Sequence, residues 1–242
     1  MKENKYDQET FFKKYSAMHR SVKGLEGAGE WAALEPMLPA FAGKRVLDLG
    51  CGFGWHCQYA IEHGAKAVTG VDLSARMLER ARKETDPRID YLEAAIEDAA
   101  FGPGAFDVVL SSLAFHYLAD FDAVAAKVYA WLAPGGDFVF SCEHPVFTAY
   151  GAQDWHYDGE GRILHFPVDR YFTEGERRAV FLGEPVVKYH RTLQSYLQGV
   201  LRAGFTLLDA AEPRPTPQML AENPAMADEL RRPMMLILAA RK

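Results

Sequence analysis

The 242-residue chain has few cysteines, no excess of positive charge and no long apolar run. Its three cysteines, Cys51, Cys57 and Cys142, include no CxxC pair, and their odd number suits a reducing compartment better than a disulfide framework. No HxxxH pair is present either, so no metal site is expected. The formal charge of −6 argues against binding a phosphate backbone as the main activity. The densest basic stretch, Arg76 to Lys83, has helical spacing and reads as a solvated helix face. No apolar run approaches the roughly 20 residues of a membrane span. The opening MKENKYDQETFFKKY has no apolar centre of the kind a signal peptide needs. A cytoplasmic protein without a nucleic-acid or membrane partner is the expectation.

What is there is rhythm. Residues 5–38 read as helical, with Phe11, Phe12, Tyr15 and Met18 at helix-compatible spacing. From residue 45 strands and helices alternate: RVLDLG, then WHCQYAIEHG stopped by Gly64, AVTGVDLS, and SARMLERARKET opened by Ser74. IDYLEAA, the nearly continuous apolar FDVVLSSLAF, the helix FDAVAAKVYAWLA and the strand DFVFSCEH follow, the last two separated by Pro134-Gly135-Gly136. The rhythm stops at residue 145. Residues 145–190 are rich in aromatics, proline and charge without sustained periodicity, which suits an inserted cap better than a linker. HRTLQSYLQGVLRAG, FTLLDAAE, a short helix NPAMADELRR and the strand PMMLILAAR complete the chain. The expected fold is α/β, with a doubly wound, mostly parallel sheet.

The stretch VLDLGCGFGW carries the first chemistry. A glycine-rich turn between a strand and a helix lets backbone approach a ligand closely. A dinucleotide fingerprint would read GxGxxG, whereas Gly50, Gly52 and Gly54 alternate and Asp48 stands two residues before them. A carboxylate there repels a pyrophosphate but suits an ammonium group. S-adenosylmethionine (SAM) has an amino-acid tail, a sulfonium and no phosphate. Asp72, 22 residues after Gly50, lies at the separation at which an acidic residue reaches a ribose.

Taken with VTGVDLSARMLERAR, AFDVVLSSLAFHYL and VYAWLAPGGDFVFSCEHP, this loop resembles the class I SAM-dependent methyltransferases over about residues 41–146. RAGFTLLDA and MMLILAA resemble that family's last two strands. The resemblance implies a seven-stranded sheet with an antiparallel last strand, N-terminal helices and a cap inserted between strands five and six. It divides a single domain into a helical cover (1–40), a cofactor-binding core (41–144), the cap (145–190) and the rest of the core (191–242). It implies that Asp48 approaches the methionine ammonium, that the three glycines form the loop, and that Asp72 holds the ribose. Leu73 and Met77 would flank the adenine. Ala95 stands where the family often has an aspartate for the adenine amino group, which leaves Ile96 and Glu97 to read it. The family's cover helix would bring Tyr15 and Arg20 over the methionine tail.

Methyl transfer needs alignment and, for many oxygen or nitrogen acceptors, a base. Strand four ends at Ser111-Ser112 and strand five at Glu143-His144, and the carboxyl ends of parallel strands share one crevice. Ser111 is therefore expected at the cofactor, and His116 and His144 are the candidate bases. The expected activity is methylation of a small molecule at oxygen, nitrogen or carbon, in a chain able to form a homodimer. A SAM-binding protein without catalysis and an NAD-dependent oxidoreductase on a similar sheet are the alternatives.

Overall fold

A computed structural model describes residues 4–242. Two short helices, α1 (Glu9–Ser16) and α2 (His19–Lys23), and the single turn α3 (Trp31–Leu34) precede the sheet. The alternating part then runs β1 (Arg45–Leu49), α4 (Trp55–Glu62), β2 (Ala67–Asp72), α5 (Ala75–Glu84), β3 (Ile89–Glu93), β4 (Phe106–Ser112), α6 (Phe121–Trp131) and β5 (Leu132–Glu143). The insert holds α7 (Pro145–Ala149) and two hairpins, β6 (His156–Tyr157) with β7 (Ile163–His165), and β8 (Gly175–Phe181) with β9 (Glu184–His190). The chain closes with α8 (Leu193–Arg202), β10 (Thr206–Ala211), α9 (Pro217–Glu222) and β11 (Met235–Arg241).

Seven strands form one sheet in the order β10-β11-β5-β4-β1-β2-β3. Strands β1 to β5 pair in parallel, and β11 runs antiparallel to both β5 and β10. Alternate residues of the central strands serve opposite faces. Leu47 and Leu49 pack with Phe138, Phe140 and the α6 and α8 side chains, whereas Val46, Val68 and Val139 pack with α4 and Leu78 of α5. Truncating one of these aromatics, such as the fully buried Phe140, would cost about 3–5 kcal/mol.

Helix starts follow local chemistry. Ser74, Asp120 and Thr192 each accept a hydrogen bond from a first-turn amide of α5, α6 and α8. Elsewhere the boundaries differ from expectation. Strand β5 begins at Leu132 and runs through Pro134-Gly135-Gly136 instead of starting after them, with a register shift against β4. The short helix expected in NPAMADELRR is present and is of the 3-10 type, Pro224–Arg231.

The insert is more regular than its sequence. Leu182 and Gly183, with φ of 55° and 78°, make the two-residue turn that joins β8 to β9. Strand periodicity is present but hidden, because the buried positions include Arg177, Lys188 and His190. Phe11 of α1 packs against Ala179 and Val186 of this hairpin, so the N-terminal cover and the insert meet above the sheet. Among the described residues no helix is long and apolar enough to cross a membrane, and no group of three or more His, Cys, Asp or Glu is placed to hold a metal ion.

Candidate active site

A cavity of about 1150 Å³ opens at the carboxyl ends of the parallel strands. Pockets for one drug-sized ligand run to about 300–1,000 Å³, so this one has room for a cofactor and a second molecule. Its floor comes from turns the sheet positions: Gly50 and Gly52 after β1, Asp72 and Leu73 at the end of β2, Ile96 and Glu97 after β3, Leu113 after β4, and Glu143 ending β5. Tyr15 and Arg20 reach it from the cover, Met77 from α5, and Lys188 from the hairpin.

The loop is built for close approach. The amides of Gly50 and Cys51 both donate to the Val71 carbonyl, at 2.7 and 3.0 Å, pinning it to β2. Gly50 has φ of 76°, and a Cβ there would stand 2.5 Å from that of Ala114. Gly52, at φ of 53°, would instead point a Cβ into open space, so a cradle remains where a side chain would otherwise stand. Asp72 accepts from the amides of Gly52 (2.9 Å) and Ser74 (2.8 Å), which ties the loop to the α5 start. Burial raises its pKa, and those two amides pull it back. Each carboxylate oxygen keeps a lone pair for a hydroxyl donor. An open cradle beside an acidic hydrogen-bond acceptor fits a nucleoside without phosphate.

Arg20 and Glu30 pair at 3.0 Å, and the Ser112 hydroxyl donates to the same Glu30 oxygen at 2.9 Å. Burial works against the Glu30 charge, but Arg20 and these hydrogen bonds hold its pKa below the usual value. Tyr6, Tyr15 and Tyr117 crowd nearby, with the Tyr6 and Tyr117 hydroxyls 3.4 Å apart.

At the far end His116 accepts the Glu143 amide at Nδ1 (3.3 Å), while Nε2 stands 3.9 Å from Glu143 Oε1. That bond assigns the ring proton to Nε2. Burial drives the His116 pKa down to about 4, so the ring is neutral at pH 7. Glu143 Oε1 takes the Lys188 ammonium at 2.5 Å and Oε2 takes the Gln153 amide at 2.6 Å. The Gln153 carbonyl accepts from Lys188 at 2.8 Å, closing a ring of three side chains. Burial opposes the Glu143 charge, and His116 and Lys188 outweigh it, so its pKa is lowered.

The cavity thus gathers Tyr15, Arg20, Gly50, Gly52, Asp72, Leu73, Met77, Ile96, Glu97 and His116 from the sequence-based set. Four others lie outside its lining. Asp48 sits beneath the loop, 1% exposed, where burial raises its pKa to about 7 and the Cys57 thiol lies 3.5 Å from Oδ2. Gly54 starts α4 in the left-handed region, and a Cβ there would stand 2.0 Å from the Tyr91 hydroxyl. Ser111 turns inward to donate to the Leu49 carbonyl at 2.8 Å, and its neighbour Ser112 takes the lining position. His144 caps α7 by accepting the Val146 amide and pairs with Glu212 at 2.9 Å. Sequence reasoning passed over Glu30, Leu113, Glu143, Gln153 and Lys188. Only Glu143, at a parallel strand's carboxyl end, carried a local signal.

Residues 46–136 match the family model described as a methyltransferase domain. A crystal structure of an S-adenosylmethionine-dependent methyltransferase from Mesorhizobium loti is 45% identical, with a TM-score of 0.84 over 90% of this chain and 100% of that one. A Listeria monocytogenes structure assigned to the same activity is 58% identical, with a TM-score of 0.86 over 90% of this chain and 99% of that one. The malonyl-[acyl-carrier protein] O-methyltransferase of Enterobacter lignolyticus is 38% identical over 109 residues, 45% of this chain and 43% of that protein. The chain belongs to the class I SAM-dependent methyltransferases. It is an enzyme, and its cofactor is SAM.

Proposed function

We propose that the enzyme transfers the SAM methyl group to an oxygen or nitrogen of a small molecule held at the Glu143 end of the cavity. The observation that carries this reading is one continuous cavity with a glycine cradle and Asp72 at one end and His116, Glu143 and Lys188 at the other. When bound, SAM supplies an electrophilic methyl carbon. The chain's own contribution is placement and exclusion of water. Asp72 holds the ribose hydroxyls, Gly50 and Gly52 give their backbone to the methionine tail, and Leu73, Met77, Ile96 and Glu97 enclose the adenine. Arg20 faces the tail carboxylate, and Glu30 supplies the anion for its ammonium that Asp48, buried below the loop, is poorly placed to offer. Tyr15 and the cover close over the sulfonium.

His116 acts in this reading as a neutral donor through Nε2 that orients the acceptor, since its other nitrogen is committed to the Glu143 amide. His144 has a capping role at α7. Residues 1–40 form the cover, 41–144 with 191–242 the core, and 145–190 the cap over the acceptor, within a single cytoplasmic domain that pairs as a homodimer. Residues 1–3 of that cover lie outside the described residues. The acceptor of the Enterobacter relative does not carry over, because the match covers under half of either chain.

The test is mass spectrometry of natively purified protein, then calorimetry with SAM and S-adenosylhomocysteine (SAH), then isotope-labelled SAM with metabolite extracts. Cofactor binding with a labelled small product supports the reading. Binding without any labelled product favours the non-catalytic alternative, and no binding by folded protein overturns the site itself.

A further inference from the structure

We propose that the acceptor is a carboxylic acid with an apolar body, bound as its carboxylate by Lys188 and methylated on oxygen. This rests on the methyltransferase reading of the cavity and names its second occupant.

Lys188 comes from β9, which is not part of the seven-stranded sheet, yet its ammonium is delivered to the end of β5 and is 3% exposed. A buried ion pair seldom stabilises a fold better than apolar side chains of the same volume would. Its presence in a cavity wall therefore calls for a ligand-directed reason. The ring around it is held under strain. Gln153, which bonds both Glu143 and Lys188, has φ of 55°, a left-handed conformation that costs a non-glycine residue free energy.

The hydrogen-bond inventory gives the sign of the ligand. Both Glu143 oxygens already accept, from Lys188 and from Gln153. Lys188 uses two of its three N–H donors, on Glu143 and Gln153, and no acceptor among the described residues takes the third. An incoming group thus meets a cation with a spare donor, beside a carboxylate whose two oxygens each already hold one donor. Arg214, on the wall after β10, adds a second cation with no ion-pair partner among the described residues.

The two titratable groups that meet Lys188 at this end, His116 and Glu143, are both poor proton acceptors. The His116 Nδ1 lone pair accepts the Glu143 amide, and each Glu143 oxygen already accepts one donor, which favours the ionised carboxylate and weakens it as a base. An alcohol or an ammonium would need a base, whereas a carboxylate arrives ready. Its oxygen forms the new C–O bond to the methyl carbon as the C–S bond breaks, and the bonding pair leaves on sulfur. Anion and sulfonium become a neutral ester and a neutral thioether, and no proton is released. Loss of both charges is favoured in a site of low dielectric.

The rest of the wall fixes the body of the acceptor. Met219, Met226, Met234 and Met235 line it, together with Phe181 and Val186 of the hairpin. Methionines adapt their shape to apolar ligands.

The test uses full-length protein saturated with SAH, titrated calorimetrically with octanoate, acetate, octylamine and octanol. Octanoate should bind at least about tenfold tighter than the other three, the discrimination expected from a charge-assisted hydrogen bond together with apolar burial. K188M should lose octanoate binding while keeping SAH binding, and K188R should retain part of it. Labelled SAM should give methyl octanoate with wild-type protein. Absence of octanoate binding, tighter octylamine binding, or undiminished octanoate binding by K188M overturns the proposal. If K188M does not fold, the wild-type comparison of octanoate with octylamine decides. Failure of wild-type protein to bind SAH would instead overturn the cofactor site, a separate result.

Discussion

The two ends of the cavity are built by different means. At the cofactor end the groups come from two adjacent parallel strands and the turns that follow them, Gly50 to Gly54 after β1 and Asp72 at the end of β2. Much of what they offer is backbone, fixed by glycine φ angles and by amides pinned to Val71. At the acceptor end Glu143, Gln153 and Lys188 come from a strand terminus, a strained turn and a hairpin outside the sheet. There the groups on offer are side chains whose positions depend on the whole fold. The first end is a local motif that many sequences can carry. The second draws Gln153 and Lys188 from this chain's insert, and it is where the proposed acceptor would bind.

Breaking the acceptor end should have the largest effect on stability. Lys188→Met leaves Glu143 buried without its cation, and removing one partner of such a pair costs about 3–5 kcal/mol. Urea denaturation should show that loss, with Lys188→Arg recovering much of it. An unchanged midpoint would mean the ring contributes nothing to cohesion.

Acid should act at the same end. His116 has a folded pKa of about 4 against the ordinary 6.5. Above pH 6.5 it is neutral folded or unfolded. Between 6.5 and 4 only the unfolded chain takes the proton, so stability falls as pH drops through that window. His56, also lowered to about 4 by burial, runs the same way. Asp48, raised to about 7, runs the opposite way, because the folded chain then holds the extra proton. His116→Gln should abolish roughly 3 kcal/mol of the acid-induced loss, measured by comparing denaturation at pH 7 and pH 4.5. An identical pH profile in wild type and variant would show that His116 titrates normally.

The cofactor end should respond in binding more than in folding. Asp72→Asn removes the charge from its hydrogen bonds, and SAH affinity should weaken by about 1.5–3 kcal/mol in calorimetry. Wild-type affinity would mean that another group holds the ribose. Gentlest of the four is Ser74→Ala. Ser74 caps α5 and donates to Asp7 of the cover at 2.5 Å, so the change should cost about 1 kcal/mol and speed amide exchange in residues 4–16. Unaltered exchange there would show that the cover is held by other contacts.

The same contrast governs what could be read in advance. The sheet was legible because parallel strands buried on both faces spell apolar runs, as VVL in β4 and FVF in β5 do. The loop was legible because alternating glycines after such a strand have few other uses. The β8–β9 hairpin was not, because its buried face carries Arg177, Lys188 and His190, which erase the apolar alternation that marks a strand. Asp48 shows the limit within the motif itself. Its place beside the glycines was plain, but its side chain packs beneath the loop against Cys57 rather than in the cavity.

The amino-acid sequence by itself determined the fold class, because strand periodicity and glycine conformation are short-range properties, and its resemblance to the methyltransferases pointed to SAM as the cofactor. The tertiary structure alone decided that Lys188 meets Glu143 across 45 residues, that Glu30 joins Arg20 and Ser112, and that His116 is locked as a neutral donor. Those contacts exist only once the insert and the N-terminal cover fold back over the sheet and exclude water from the charges between them.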